Sequence, residues 1–101
     1  MFRRSIRTEM VNDIKTNVNI IDVREPAEIK ATGSIKGSIK IPMNQIPSNL
    51  DKLNKDEEYN ILCQSGNRSL QVAKYLHKQG YQVVNLMGGF GAFRGKIDYE
   101  L

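Results

Sequence analysis

Cys63 is the only cysteine in the chain, and a polar run, Gln64-Ser65-Gly66-Asn67-Arg68-Ser69, follows it directly. A lone cysteine is by default a small apolar core residue. The polar run and its glycine argue instead for a loop built around the thiol. Gly66 lets such a loop take positive φ or bring its backbone close to a ligand. Successive N–H groups in the loop, joined to a helix N-terminus, form an anion cradle. A thiol held there has its thiolate favoured, which is what a sulfur nucleophile requires. The same donors would stabilise a terminal persulfide anion. Arg68, at the exit of the loop, is placed to brace it or to meet an anionic substrate.

The other polar groups carry weaker signals. Asp22 and Arg24 stand at the end of an apolar run, Ile20-Ile21-Asp22-Val23-Arg24, where charges are usually solvated. Glu25 and Glu28 are expected on an exposed helix face. His77, the single histidine, lies nine residues beyond Arg68 on the same expected helix. At 1.5 Å per residue that is about 13 Å along the axis, too far for a Cys–His dyad. A single cysteine also leaves no thiolate cluster for a metal. Gly88-Gly89 lacks the G-x-G-x-x-G context of a dinucleotide site.

These residues need elements to position them. Thr8 to Thr16 reads as a first helix, capped by Thr8, with Met10, Val11 and Ile14 on its apolar side. Asn19 to Val23 reads as a buried strand, followed by a short helix from Pro26 to about Ala31 that Gly33 stops. Ser38 to Ile41 is a second strand, Ser48 to Leu53 a brief helix, and Tyr59 to Leu62 a third strand that delivers Cys63. Leu70, Ala73 and Leu76 mark a helix from Arg68 to Gln79, ended by Gly80. Gln82 to Asn85 is the last strand, before the Gly88-Gly89 turn and a short terminal helix. Strands alternating with helices imply an α/β fold with a parallel sheet covered on both faces. Asp22, Cys63 and Gly88-Gly89 all fall at carboxyl ends of strands, the edge where ligands bind in such sheets.

A chain of 101 residues is one compact domain, taken as 1–101, with 40% apolar and 26% charged residues. No stretch approaches the ~20 apolar residues of a membrane helix. With a lone thiol and no cleavable leader pattern, a reducing cytoplasm is the expected location. The net charge of +4 is not laid out as a nucleic-acid footprint, because apart from Arg3, Arg4 and Arg7 the basic residues alternate with acids. Neither a nucleic-acid partner nor a membrane is expected.

Four segments, in order, resemble the rhodanese family. Ile21-Asp22-Val23-Arg24-Glu25-Pro26-Ala27-Glu28 is similar to its D-V-R-E-x-x-E segment, and Gly33 to Pro42 to its G-H-I-x-G-A-x-x-I-P segment. Cys63 to Ser69 matches its C-x-S-G-x-R-S loop, and Asn85-Leu86-Met87-Gly88-Gly89 resembles its L-x-G-G turn. The resemblance implies a five-stranded parallel sheet with helices on both faces. It implies a sulfurtransferase in which Cys63 takes sulfane sulfur from thiosulfate or a similar small anionic donor. The acceptor would be thiophilic: cyanide, a cellular thiol or a protein thiol. The resemblance implies no metal or organic cofactor. Gln64, Ser65, Gly66, Asn67, Arg68 and Ser69 would bind substrate, Asp22 would help hold the loop, and Arg24 would brace its neighbourhood.

Three positions depart from the family pattern. Ser34 stands where His is usual and Phe93 where Trp is frequent, both expected to be structural changes at the edge of the site. Gln64 replaces an Arg found in many thiosulfate-using members, which weakens the case for thiosulfate. Two rival functions follow from the same residues. A phosphatase or arsenate reductase on this fold uses C-x5-R, whereas only four residues separate Cys63 from Arg68, a ring suited to one sulfur atom. A non-catalytic or sulfur-delivery module that docks a protein partner would commonly lack the cysteine or disrupt the loop.

Overall fold

The computed structural model describes residues 6–99; Arg3 and Arg4 of the basic N-terminal cluster lie outside them. Five strands form one parallel sheet: β1 (Arg7–Met10), β2 (Asn19–Asp22), β4 (Ile39–Lys40), β5 (Glu58–Leu62) and β6 (Gln82–Met87). Their spatial order is β1-β6-β5-β2-β4. The helices are α1 (Pro26–Thr32), α2 (Asn67–Lys78) and α3 (Gly89–Ala92), joined by 310 segments at Val11–Asp13, Met43–Gln45 and Pro47–Lys52. A separate two-residue ladder pairs β3 (Ser34–Ile35) with β7 (Ile97–Asp98) in antiparallel fashion.

Side chains alternate across a strand, so each central strand feeds two cores. Ile21, Ile61 and Val83 point to one face and pack with Val72, Ala73 and Leu76 of α2 and with Ile46. Ile20, Leu62, Val84 and Leu86 point to the other and pack with Val11, Ile35 and Phe90. Strands buried on both faces read as near-continuous apolar runs, as Ile20-Ile21 and Ile61-Leu62 do. Each such side chain contributes roughly 1.5–3 kcal/mol on burial.

The expected first helix, Thr8 to Thr16, is instead β1 followed by a single 310 turn. Its residues pair in parallel with β6 from Arg7↔Val84 to Met10↔Met87. Met10 is 50% exposed and Val11 is fully buried, so the apolar spacing never formed one stripe. Backbone pairing at the sheet edge outweighed local helical patterning. The remaining elements lie within two residues of expectation, the brief helix expected over Ser48 to Leu53 being 310 over Pro47–Lys52; β6 runs on to Met87, and the β3–β7 ladder has no counterpart in the sequence pattern.

Candidate active site

The register of the sheet brings the carboxyl ends together. Asp22 lies opposite Leu62, and the Val23 N–H donates to the Leu62 carbonyl at 2.9 Å. Phe90 N–H donates to the Cys63 carbonyl at 2.8 Å and Gly91 N–H to the Gln64 carbonyl at 3.0 Å. Gly89 is required by this approach. Its φ is +62°, and a Cβ there would stand 2.5 Å from the Gln64 oxygen and 2.6 Å from that of Cys63. Gly66 also has positive φ, +114°, but a Cβ there would meet only ordinary contacts at 3.7 Å. It is conformation, not space, that selects glycine at that position.

Strand alternation turns Cys63 to the α2 side with Tyr59 and Ile61, where it is fully buried. The first turn of α2 does the rest. Ser69, Val72, Ala73 and Leu76 share its buried face, so the stripe that packs the helix also sets the Ser69 hydroxyl against the sulfur. The protonated Cys63 Sγ donates to Ser69 Oγ at 3.3 Å, and Ser69 donates its one hydroxyl proton to Asn85 Oδ1 at 2.6 Å; that proton must turn to the sulfur to stabilise the thiolate. The Gly66 N–H donates to the same sulfur at 3.0 Å. Burial pushes the Cys63 thiol up, but the Ser69 hydroxyl and the N–H groups of Ser69, Gly66 and Ser65 pull it down by more, leaving it below the ordinary cysteine value. Ser65 and Asn67 form the exposed tip of the loop, with Gly66 and Arg68 half-buried between and beside them.

Neither guanidinium of the site is a free cation. Arg24 is fully buried and spends every donor within the protein. Its Nη2 meets Asp22 Oδ2 and the Gly33 carbonyl at 2.8 Å each, and its Nε lies 3.1 Å from Asp22 Oδ1. Its Nη1 donates to Thr32 Oγ1 at 2.9 Å and to Gln64 Oε1 at 3.2 Å. The guanidinium carbon rests 4.1 Å above the Phe90 ring. Asp22 therefore reaches the loop only through Arg24. Arg68 is held by Glu28 in a two-pronged pair of 2.6 and 2.8 Å. That overturns the exposed-face expectation for Glu28, which is half-buried and also accepts the Glu25 N–H at 3.0 Å. The Arg68 hydrogen bond is the largest cause that brings the Glu28 carboxyl down to about 2.

A Rhodanese-like domain model matches residues 7–96, nearly all of the described chain. The chain belongs to the rhodanese-like family.

Relatives of this rhodanese-like domain match along similar spans. It is 46% identical to YtwF of Bacillus subtilis over 77 residues, 76% of this chain and 74% of that protein. It is 44% identical over 78 residues to a protein of Allochromatium vinosum named a sulfurtransferase, covering 76% of this chain and 72% of the relative. Among solved structures, a rhodanese-like domain protein of Staphylococcus aureus superposes with a TM-score of 0.86 at 32% identity, covering 95% of this chain and all of the other. The five-stranded parallel sheet flanked by helices is thus the fold of the family, as the sequence implied.

The departures from the family pattern occupy definite places. Ser34 is fully buried, donates to Asp22 Oδ2 at 2.6 Å and lies 2.9 Å from the Ser38 hydroxyl, so it anchors the carboxylate that holds Arg24. Phe93 stacks on Phe90 with centroids 6.5 Å apart, one ring removed from Arg24. Gln64 turns its amide oxygen to Arg24 rather than standing free at the loop. Sequence reasoning missed Glu28, Thr32 and Asn85. Asn85 had a readable signal, a polar residue inside the apolar run Val83-Val84-Asn85-Leu86, which in a buried strand requires a partner. Glu28 had one in the last position of the D-V-R-E-x-x-E segment, but nothing local pointed to its partner forty residues away.

Proposed function

We propose that this protein is a sulfurtransferase that carries sulfane sulfur as a persulfide on Cys63. The observation that bears most weight is the pairing of the Cys63 sulfur with the Gly66 N–H at 3.0 Å and the Ser69 hydroxyl at 3.3 Å, at the junction of β5 and α2. These donors favour the thiolate, and among the described residues no carboxylate or imidazole is hydrogen-bonded to the sulfur. Lowering the thiol's pKa raises its thiolate fraction, which is the form that attacks sulfane sulfur. The relative named a sulfurtransferase supports the same reading.

The reaction has two displacements. The Cys63 thiolate attacks the outer sulfur of the donor; the donor's S–S bond breaks, its electron pair leaving with sulfite if the donor is thiosulfate. A Cys63 persulfide anion results. An acceptor thiolate or cyanide then attacks the terminal sulfur, and the pair of the breaking bond returns to Cys63. No net oxidation occurs and no second protein thiol is needed, in keeping with a single cysteine. The Gly66 N–H and Ser69 hydroxyl hold the sulfur, while Ser65 and Asn67 form the rim the donor meets. Gln64 and Arg68 set the shape of the loop through Arg24 and Glu28. Since Cys63 is fully covered, donor entry requires the rim to move.

Transfer from thiosulfate, or from a small-molecule persulfide, to cyanide tests the proposal through thiocyanate formation. Turnover by the native protein and none by Cys63→Ser is expected. A native protein inert with both donors contradicts it, as does strong hydrolysis of aryl phosphates.

A further inference from the structure

On the sheet face opposite α2, a groove of about 640 Å3 runs between the segment Asn12–Val18 and the residues that follow α3. It does not include Cys63. Its floor is apolar, formed by Ile14, Val18 and Phe93, which pack only partly against the core residues beneath them. Its rim carries Lys15, Lys36, Arg94 and Lys96, all exposed, and no acidic residue lines it among the described residues. The four rim cations, with no acidic residue among those lining the groove, make it a locally positive surface.

We propose that the groove is a docking site for an acidic segment of a partner protein that seats apolar side chains on the floor. The volume falls in the range of binding clefts, and a rim of one sign attracts and orients an oppositely charged partner. Other anions fit less well. The four cations sit on flexible, exposed stems around an apolar floor, and no buried donor converges on a point, so a compact anion finds no built site. Phe93 is the one aromatic among the lining residues, which gives no stacking series for single-stranded bases. The apolar surface is recessed between the cations instead of protruding, the reverse of what membrane insertion uses.

The probe is a synthetic labelled peptide with two Leu flanked on both sides by Glu, titrated by fluorescence anisotropy at low and high salt. Saturable binding that weakens with salt is expected. Lys36→Glu combined with Arg94→Glu should weaken it at least about tenfold, since each reversal turns an attraction into a repulsion. Lys52→Glu combined with Lys74→Glu, an equal change of net charge elsewhere on the exposed surface, should change affinity less than about threefold. A peptide with Ser in place of both Leu should bind at least about fivefold more weakly than the Leu peptide. All the substituted side chains of the protein are exposed, so each variant's fold is checked by its melting temperature before titration. Absence of saturable binding at millimolar peptide overturns the proposal, as does equal loss in both charge-reversal pairs. Rim-dependent binding to phosphatidylglycerol vesicles or an oligonucleotide in place of the peptide overturns it as well.

Discussion

Glu28 of α1 and Arg68 of α2 meet in a two-pronged ion pair, 2.6 and 2.8 Å, that ties the exit of the Cys63 loop to the opposite helix. The same carboxylate caps α1 by accepting the Glu25 N–H. One side chain thus fixes both the start of α1 and the end of the loop. The arrangement also neutralises a cation that the loop sequence alone presents as available to a donor.

Glu28→Gln keeps the capping acceptor and removes the charge, which isolates the pair. A destabilisation of about 1 kcal/mol at pH 7 is expected, near the upper end for partly exposed pairs. The Glu28 carboxyl is depressed from 4.5 to about 2. Its stabilisation is therefore full above pH 4.5 and is lost as pH falls through about 2. Denaturant melts of both proteins should differ at pH 7 and converge toward pH 2; an equal difference at both pH values would contradict the pair's role.

The thiolate is favoured most by the Ser69 hydroxyl after burial is set against it. Ser69→Ala should move the midpoint of the iodoacetamide alkylation profile upward, because burial is then opposed by backbone donors alone. The native midpoint should lie below that of an ordinary cysteine. A native midpoint at the ordinary value, or no movement in Ser69→Ala, would mean that the cradle does not act on the sulfur.

Much of this site is local in sequence and for that reason was legible. A strand, a polar glycine loop and a helix with apolar residues at 70, 73 and 76 place Cys63 and Ser69 within one turn of each other. Gly88-Gly89 was visible as a turn, and its position at a strand end brought it to the same edge. What stayed hidden depends on distant chain. Glu28 reads as one more charge on a short helix until α2 is packed beside it. Asp22 and Arg24 look like solvated charges until Arg24 is buried against the Asp22 carboxylate, which Ser34 also meets. The N-terminal segment misled because Met10, Val11 and Ile14 mimic helical spacing, while an edge strand four residues long has too few alternations to announce itself.

Gln64 bears on donor choice in two opposing ways. An arginine at this position adds positive charge for dianionic thiosulfate, worth roughly tenfold in kcat/KM if the pair is solvent-screened. It also removes the Gln64 acceptor from buried Arg24 and sets a like charge nearby. Gln64→Arg should raise kcat/KM for thiosulfate by about tenfold at low salt, less at high salt, and lower stability by about 1–2 kcal/mol. An uncharged persulfide donor should show little change. Unaltered thiosulfate turnover at low ionic strength would show that charge at position 64 does not limit the reaction.

The two glycines of the site should respond differently to alanine. At Gly66 the cost is conformational, about 1–2 kcal/mol for a positive φ. At Gly89 the same strain is joined by backbone oxygens 2.5 and 2.6 Å from the new carbon, which must be driven apart. Gly89→Ala should therefore lose more stability than Gly66→Ala, by about 1 kcal/mol or more. Equal losses in thermal or denaturant melts would argue that the Gly88-Gly89 turn does not press on the Cys63 loop.

The intact mass of the protein after exposure to a sulfane-sulfur donor bears most directly on the assignment of Cys63. Thiosulfate and a small-molecule persulfide are both used, so that a preference arising from Gln64 does not obscure the result. The native protein should gain the mass of one sulfur atom, and cyanide or dithiothreitol should remove it. Cys63→Ser should gain nothing. A native protein that takes up no sulfur from either donor, or a Cys63→Ser variant that takes up as much as the native one, would contradict the account.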